Sequence, residues 1–226
     1  MNINVINFRI YSFPELPMND QLLFYVRDLF IAGTETTSTT LRWALLCLLH
    51  YPQTQQKIRE EINEVIGSSG IVHMSHKPDM HYTSAFIHEL MRFRTFVPLG
   101  LFHKTNEEAD LNGYTIPKDV MVVTNLWALH NDPNVWEEPD QFRPERFLDT
   151  DEKFVLSNQV IPFSLGSRRC MGEQLAKMEV FIFLVSMVQK FEILPDPEAE
   201  KLPEINEGIN GTAFAPYPYR IVAKEL

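Results

Sequence analysis

One ten-residue stretch gathers a cysteine, two glycines and two arginines: Phe163-Ser164-Leu165-Gly166-Ser167-Arg168-Arg169-Cys170-Met171-Gly172, directly ahead of an apolar helical run. A lone cysteine in a glycine-containing turn is most often a small buried hydrophobe. Here the neighbours add chemistry. A thiolate that ligates metal needs a depressed pKa, and helix N-terminal amides together with nearby cations supply it. Gly166 and Gly172 let the backbone approach a flat ligand and adopt unusual dihedrals. Arg168 offers a planar fork suited to a carboxylate.

Two further groups could do work. Glu89-Leu90-Met91-Arg92 puts opposite charges three residues apart, on one helix face. On an open helix that is a surface salt bridge of little worth. Phe86, Ile87, Leu90, Met91 and Phe93 leave little polar surface around it, so both charges need buried partners. The third group is Ala32-Gly33-Thr34-Glu35-Thr36-Thr37. Threonine hydroxyls compete for backbone carbonyls, and with a glycine they can open a helical ladder and leave a notch. The plain alternative is a Thr-rich surface patch.

These groups need elements to hold them. The pattern predicts a helix over about 21–50, a second opened by Pro52, and a third capped by Thr83 or Ser84 and running to about 94. Asn112-Gly113 is a two-residue hairpin turn, with strands near 109–111 and 114–116 and another near 120–124. Residues 131–170, rich in Pro, Asp, Asn and Arg, read as a long meander, which in a compact domain usually serves function. A helix from Gly172 to about Lys190 and a strand over 219–223 complete a fold that is mainly α with small β-sheets. Trp127 and His130 are read as packing residues, and Cys47 as a core cysteine.

Composition narrows the class. Of 226 residues, 45% are hydrophobic and 22% charged, a globular balance. The net charge of −10 argues against a nucleic-acid binder. Two cysteines exclude a disulfide scaffold, and the seven histidines form no zinc-ligand spacing. The first residues are too short and polar for a signal segment or a membrane span.

The Cys170 stretch resembles the haem-binding loop of the cytochromes P450, with Phe, Gly, Arg, Cys and Gly at that family's spacing. The order AGTETT, ELMR, PERF and FSLGSRRCMG is also the family's. The GYTIPK hairpin, NLWALHNDP and MGEQLAKME resemble microsomal family 2, and in particular its fatty-acid hydroxylase-like subfamily U. The resemblance implies that Cys170 is the axial thiolate on haem iron, whose electron donation favours O–O cleavage. It implies that Arg168 and His103 meet haem propionates, that Phe163 packs near the sulfur, and that Gly166, Gly172 and Gly33 leave room for the macrocycle. Glu35 and Thr36 match the oxygen-activation site, delivering protons there. Phe30, Ala32, Val97, Leu101, Thr212 and Phe214 match the substrate side. Arg146 of the meander motif would join Glu89 and Arg92 in a structural network.

The resemblance therefore implies haem b as cofactor and a monooxygenase acting on an apolar substrate of fatty-acid, steroid or xenobiotic type. Electrons would come from NADPH through cytochrome P450 reductase, or through cytochrome b5. The location would be the endoplasmic reticulum membrane, with attachment only through an N-terminal half. Residues 19–226 correspond to the C-terminal half of the P450 fold, behind a leader at 1–18 outside the family pattern. Phe102 departs from a common proline. Family members are about twice this length, so the alternative is a catalytically inactive truncated fragment acting by haem or protein binding.

Overall fold

A computed structural model describes residues 18–199 and 201–226. The leader read at 1–18 lies, up to residue 17, outside the described residues.

Helix α1 (Met18–His50) runs unbroken through the Gly/Thr stretch. Its two ends live in different surroundings. Trp43, Ala44, Leu46, Cys47 and Leu48 are buried in the core. Leu22, Leu23, Tyr25, Leu29, Phe30 and Ile31 are exposed, and they lie on every side of the helix rather than on one stripe. Helix α2 (Pro52–Val65) begins at its proline and buries Ile58 and Ile62. Gly67, at φ +85°, ends it in the left-handed conformation that favours glycine.

Helix α3 (His81–Phe93) starts two residues before the expected cap. The cap comes from another helix. The Glu61 carboxylate of α2 accepts the Tyr82 and Thr83 backbone N–H groups at 2.7 and 2.8 Å, and the Thr83 hydroxyl at 2.6 Å. An anion at a helix N-terminus satisfies orphan amides and meets the positive end of the dipole. The fully buried side chains of α3 include Phe86 and Leu90, which pack with Trp43, Ile58, Ile62, Phe181 and Leu184 into one core.

Short antiparallel pairs follow. Strand β1 (His103–Lys104) pairs with β4 (Met121–Val122), and β2 (Ala109–Leu111) pairs with β3 (Tyr114–Ile116). The turn between β2 and β3 has Asn112 at φ +56° and Gly113 at φ +88°, as a tight hairpin turn requires. Helix α4 (Leu126–His130) is capped by Asn125, whose Oδ1 accepts the Ala128 N–H at 2.9 Å. Residues 131–165 then run with little regular structure beyond a 3-10 turn at Pro144–Phe147.

Helix α5 (Glu173–Lys190) passes directly into strand β5 (Phe191–Pro195), which pairs with β8 (Ile221–Glu225). The sequence reading missed β5 and set β8 two residues early. Tyr219 is drawn out of the sheet because its hydroxyl donates to the Arg42 carbonyl of α1. Gln55 of α2 extends the β5 edge: its side chain donates to the Ile193 carbonyl at 3.0 Å and accepts the Ile193 N–H at 2.7 Å. A small hairpin, β6 (Ile209–Asn210) with β7 (Phe214–Ala215), lies beside α1.

Candidate functional site: an exposed thiol at the mouth of a helix

The Cys170 loop is closed by backbone bonds. The Cys170 N–H donates to the Phe163 carbonyl at 2.9 Å, and Arg169 N–H to the Gly166 carbonyl at 3.2 Å. Gly166 holds φ +80°, where a β-carbon would strain the turn. Gly172 is the N-cap of α5, so Cys170 sits two residues ahead of that cap. Its thiol is exposed.

The space before the sulfur is open. A β-carbon on Gly166 would meet nothing within 4 Å, and one on Gly172 would meet only the Cys170 Sγ at 3.9 Å. Leu165 and Met171 are exposed apolar neighbours, and Arg168 and Arg169 are exposed cations. Phe163 is half-buried, with the Lys177 ammonium 5.4 Å from its ring centre. A soft sulfur donor, an unobstructed glycine cradle, an apolar rim and guanidinium groups are a donor set that fits a flat, apolar, carboxylate-bearing macrocycle.

The Gly/Thr stretch of α1 departs from the expected open ladder. Thr36 Oγ1 donates to the Ala32 carbonyl at 2.7 Å, and Thr40 Oγ1 to the Thr36 carbonyl at 2.9 Å. Each hydroxyl bonds back along the helix while the helix continues, so no notch opens in the backbone itself. Glu35 is exposed, with Oε1 accepting from Thr39 Oγ1 at 3.2 Å. Thr37 reaches the last helix: its hydroxyl donates to Glu179 Oε2 at 3.0 Å. A groove of about 390 Å³ between α1 and α5 is lined by Phe30, Gly33, Thr37, Leu41, Leu175 and Phe183, among others. A β-carbon at Gly33 would also meet nothing within 4 Å. Ala32 is exposed beside it.

The structure brings Glu89, Arg92 and Arg146 together. Arg92 Nε and Nη2 donate to the two oxygens of Glu89 at 2.7 and 2.8 Å, with both side chains fully buried. Arg146 Nε reaches Glu89 Oε1 at 3.1 Å, and the Arg143 backbone N–H donates to the same oxygen at 2.9 Å. The other guanidinium hydrogen bonds go to main-chain carbonyls. Arg92 serves His130, Pro139 and Gln141, and Arg146 serves Glu137, Glu138 and Gln141. Trp136 lies 5.4 Å from the Arg92 charge.

On the expected substrate side, Leu101 and Thr212 are exposed while Val97 and Phe214 are half-buried. Phe214 stacks on Trp43 at 5.2 Å, its carbonyl accepts the Trp43 indole N–H at 3.0 Å, and its N–H donates to the Phe96 carbonyl at 2.8 Å. This ties the tail hairpin both to α1 and to the segment that carries Val97. His103 is half-buried in β1, opposite Val122.

Two histidines escaped the sequence reading as site elements. His130, read as packing alone, is fully buried, and its Nε2 accepts the Ile161 N–H at 2.9 Å. His88 Nε2 accepts the Ser157 N–H at 3.3 Å, between the rings of Phe147 and Phe154. Burial pushes both pKa values down to about 4; Arg92 and His88 act in the same direction on His130, and Lys177 and Lys77 on His88. Trp127, also read as packing, is 53% exposed. A buried histidine inside an Asn/Asp/Pro-rich stretch was the available signal, since such a ring must find partners. Cys47 is in the core, and burial raises its thiol far above the ordinary value, so it is the inert cysteine.

The family model described as cytochrome P450 matches residues 15–223, and the chain belongs to that family. It is similar to cytochrome P450 2U1 of Homo sapiens, 45% identical over 90% of this chain and 37% of that protein. Cytochrome P450 2J3 of Rattus norvegicus is 46% identical over 81% of this chain and 36% of that protein. The steroid 17-alpha-hydroxylase/17,20 lyase of Rana dybowskii is 44% identical over 91% and 40%. The chain thus spans about two fifths of the length of these curated relatives. No helix among the described residues is long and apolar enough to cross a membrane.

Proposed function

We propose that this chain carries the thiolate-bearing part of a haem monooxygenase that inserts one oxygen atom from O2 into an apolar organic substrate. The observation that carries this reading is the exposed Cys170 thiol, held on an open glycine-flanked loop ahead of α5. Haem bound there supplies dioxygen activation. The chain's own residues do the rest. Cys170, exposed on the loop, would ligate the iron through sulfur. Arg168 pairs with a propionate, with His103 as a second propionate partner. Phe163 packs against the macrocycle, and Gly166, Gly172 and Gly33 keep space for it.

Thr36 and Glu35 would handle protons for that chemistry. The single Thr36 hydroxyl proton is given to the Ala32 carbonyl, so at rest its oxygen can only accept; donation needs rotation about the side-chain bond. Glu35, exposed to water, exchanges protons with solvent and feeds that hydroxyl. Phe30, Ala32, Val97, Leu101, Thr212 and Phe214 contact an apolar substrate of fatty-acid, steroid or xenobiotic type. Glu89, Arg92 and Arg146 form the structural network that locks the meander over the thiolate loop. Electrons arrive from NADPH through a reductase or cytochrome b5, with Arg168 and Arg169 facing an acidic donor surface. By family, the setting is the endoplasmic reticulum membrane.

A second reading is favoured by the exposed apolar half of α1, from Leu22 to Ile31. Such a surface needs covering. In that reading the chain has no turnover of its own and acts through haem or protein binding with a complementary segment.

The test is the reduced-plus-CO difference spectrum of the haem-reconstituted chain. The long-wavelength Soret band that gives the family its name is the expected result. A shorter-wavelength band, or no retained haem, would overturn thiolate ligation by this chain alone and favour the second reading.

A further inference from the structure

We propose that His130 and His88 are positioning residues for the Cys170 loop, a two-histidine clasp that holds the entering strap by accepting the backbone N–H groups of Ile161 and Ser157. The bonding pattern fixes the ring chemistry. Nε2 of His130 accepts from Ile161, so Nδ1 carries the proton and donates to Thr95 Oγ1 at 2.6 Å, and that hydroxyl donates to the Arg92 carbonyl at 3.2 Å. The His130 carbonyl accepts from Arg92 Nη1 at 2.8 Å. His130 is therefore fastened to α3 on one side and to the strap on the other.

The strap leads straight into the loop. The Ile161 carbonyl accepts the Ser164 N–H at 3.0 Å, and the next turn closes with Cys170 N–H on the Phe163 carbonyl. His88 grips the same strap four residues earlier, its ring edge-on to Phe147 at 4.6 Å and Phe154 at 5.5 Å.

Protonation would put an N–H where each acceptor now stands, facing the strap's own N–H. The groups around the clasp oppose that charge: Arg92 of α3 and the neighbouring histidine face His130, while Lys77 and Lys177 of α5 face His88. Burial acts in the same direction and holds both rings neutral down to about pH 4 while the strap is closed. Opening at either amide frees the one ring that holds it to titrate near its ordinary value of about 6.5. Opening thus takes up protons, and acid favours it.

The experiment is hydrogen exchange of the Ser157 and Ile161 amides in the full 226-residue chain, expressed as protection relative to the free-peptide rate, with the glutamine variants below as the internal reference. Between pH 7.5 and 5.0, protection at Ile161 is expected to fall roughly 20- to 30-fold. His130→Gln and His88→Gln keep an acceptor that cannot titrate, and their protection at Ile161 and Ser157 respectively stays flat with pH. A flat wild-type profile, glutamine variants that fall as wild type does, or amides exchanging at the free-peptide rate at pH 7.5 would each overturn the clasp. Its purpose rests on the thiolate reading of Cys170, but amide protection does not require haem, whereas the Soret band does, so either can fail alone.

Discussion

Glu89 grips Arg92 in a two-point fork, Oε2 to Nε at 2.7 Å and Oε1 to Nη2 at 2.8 Å, with neither side chain touching water. The same carboxylate serves Arg146 and the Arg143 amide. One anion thus serves two guanidinium groups, and the single positive charge left over is shared among carbonyl dipoles.

Removing that anion is costly. Glu89→Gln leaves two buried or nearly buried cations without a counter-charge, and breaking a buried pair from one side costs about 3–5 kcal/mol. Urea unfolding of the variant should show a midpoint lowered accordingly. An unchanged midpoint would remove the fork from what holds the meander.

Cys170→Ser separates ligation from folding. The loop is closed by the residue's backbone N–H, and the thiol itself is exposed. Stability should change by less than about 0.5 kcal/mol, as for an ordinary surface substitution. The long-wavelength CO band should vanish in the same sample. A variant that keeps that band would exclude Cys170 as the iron ligand.

Thr36→Ala addresses proton handling. Its hydroxyl bonds back along its own helix, so the loss to stability is expected below about 1 kcal/mol. In a turnover-competent preparation supplied with reductase, product formed per NADPH consumed should drop. Tightly coupled turnover in this variant would eliminate the proton-delivery role.

Trp43→Phe keeps the aromatic ring but deletes the indole N–H given to the Phe214 carbonyl at 3.0 Å. Leaving that carbonyl short of a partner should cost about 1–3 kcal/mol. Amide exchange at Phe214, whose N–H is bonded to the Phe96 carbonyl, should rise together with the loss of stability. If exchange at Phe214 holds steady, the tail hairpin does not depend on α1.

Much of the frame was legible locally. Asn112-Gly113, Pro52 and Gly67 act through their own dihedrals, and the structure has turns and helix ends at those places. The Glu89–Leu90–Met91–Arg92 spacing within an apolar helix already demanded buried partners, and the carbonyls of 130–141 now stand as those partners. What stayed hidden depends on distant chain. The α3 cap lies on Glu61, twenty-one residues before Tyr82, and β5 exists because Gln55 and the far C-terminal strand complete its hydrogen bonds. His88 lay in no motif, and His130 lay in NLWALHNDP but was read as packing; their bonds to the strap come from where the strap crosses them. Thr36 shows the reverse case: its residue type allowed a broken ladder, but bonding to its own helix kept the ladder whole.

Arg92 and Arg146 hold residues 130–141 through peptide carbonyls, groups that every amino acid carries. The path of that segment is therefore written mainly in two side chains outside it, not in its own. An exposed position such as Asp140 is free to drift in identity while the peptide it belongs to stays in place. Evolution can revise the outer skin of this region, altering its charge or its partners, without renegotiating the ground on which the cysteine loop stands.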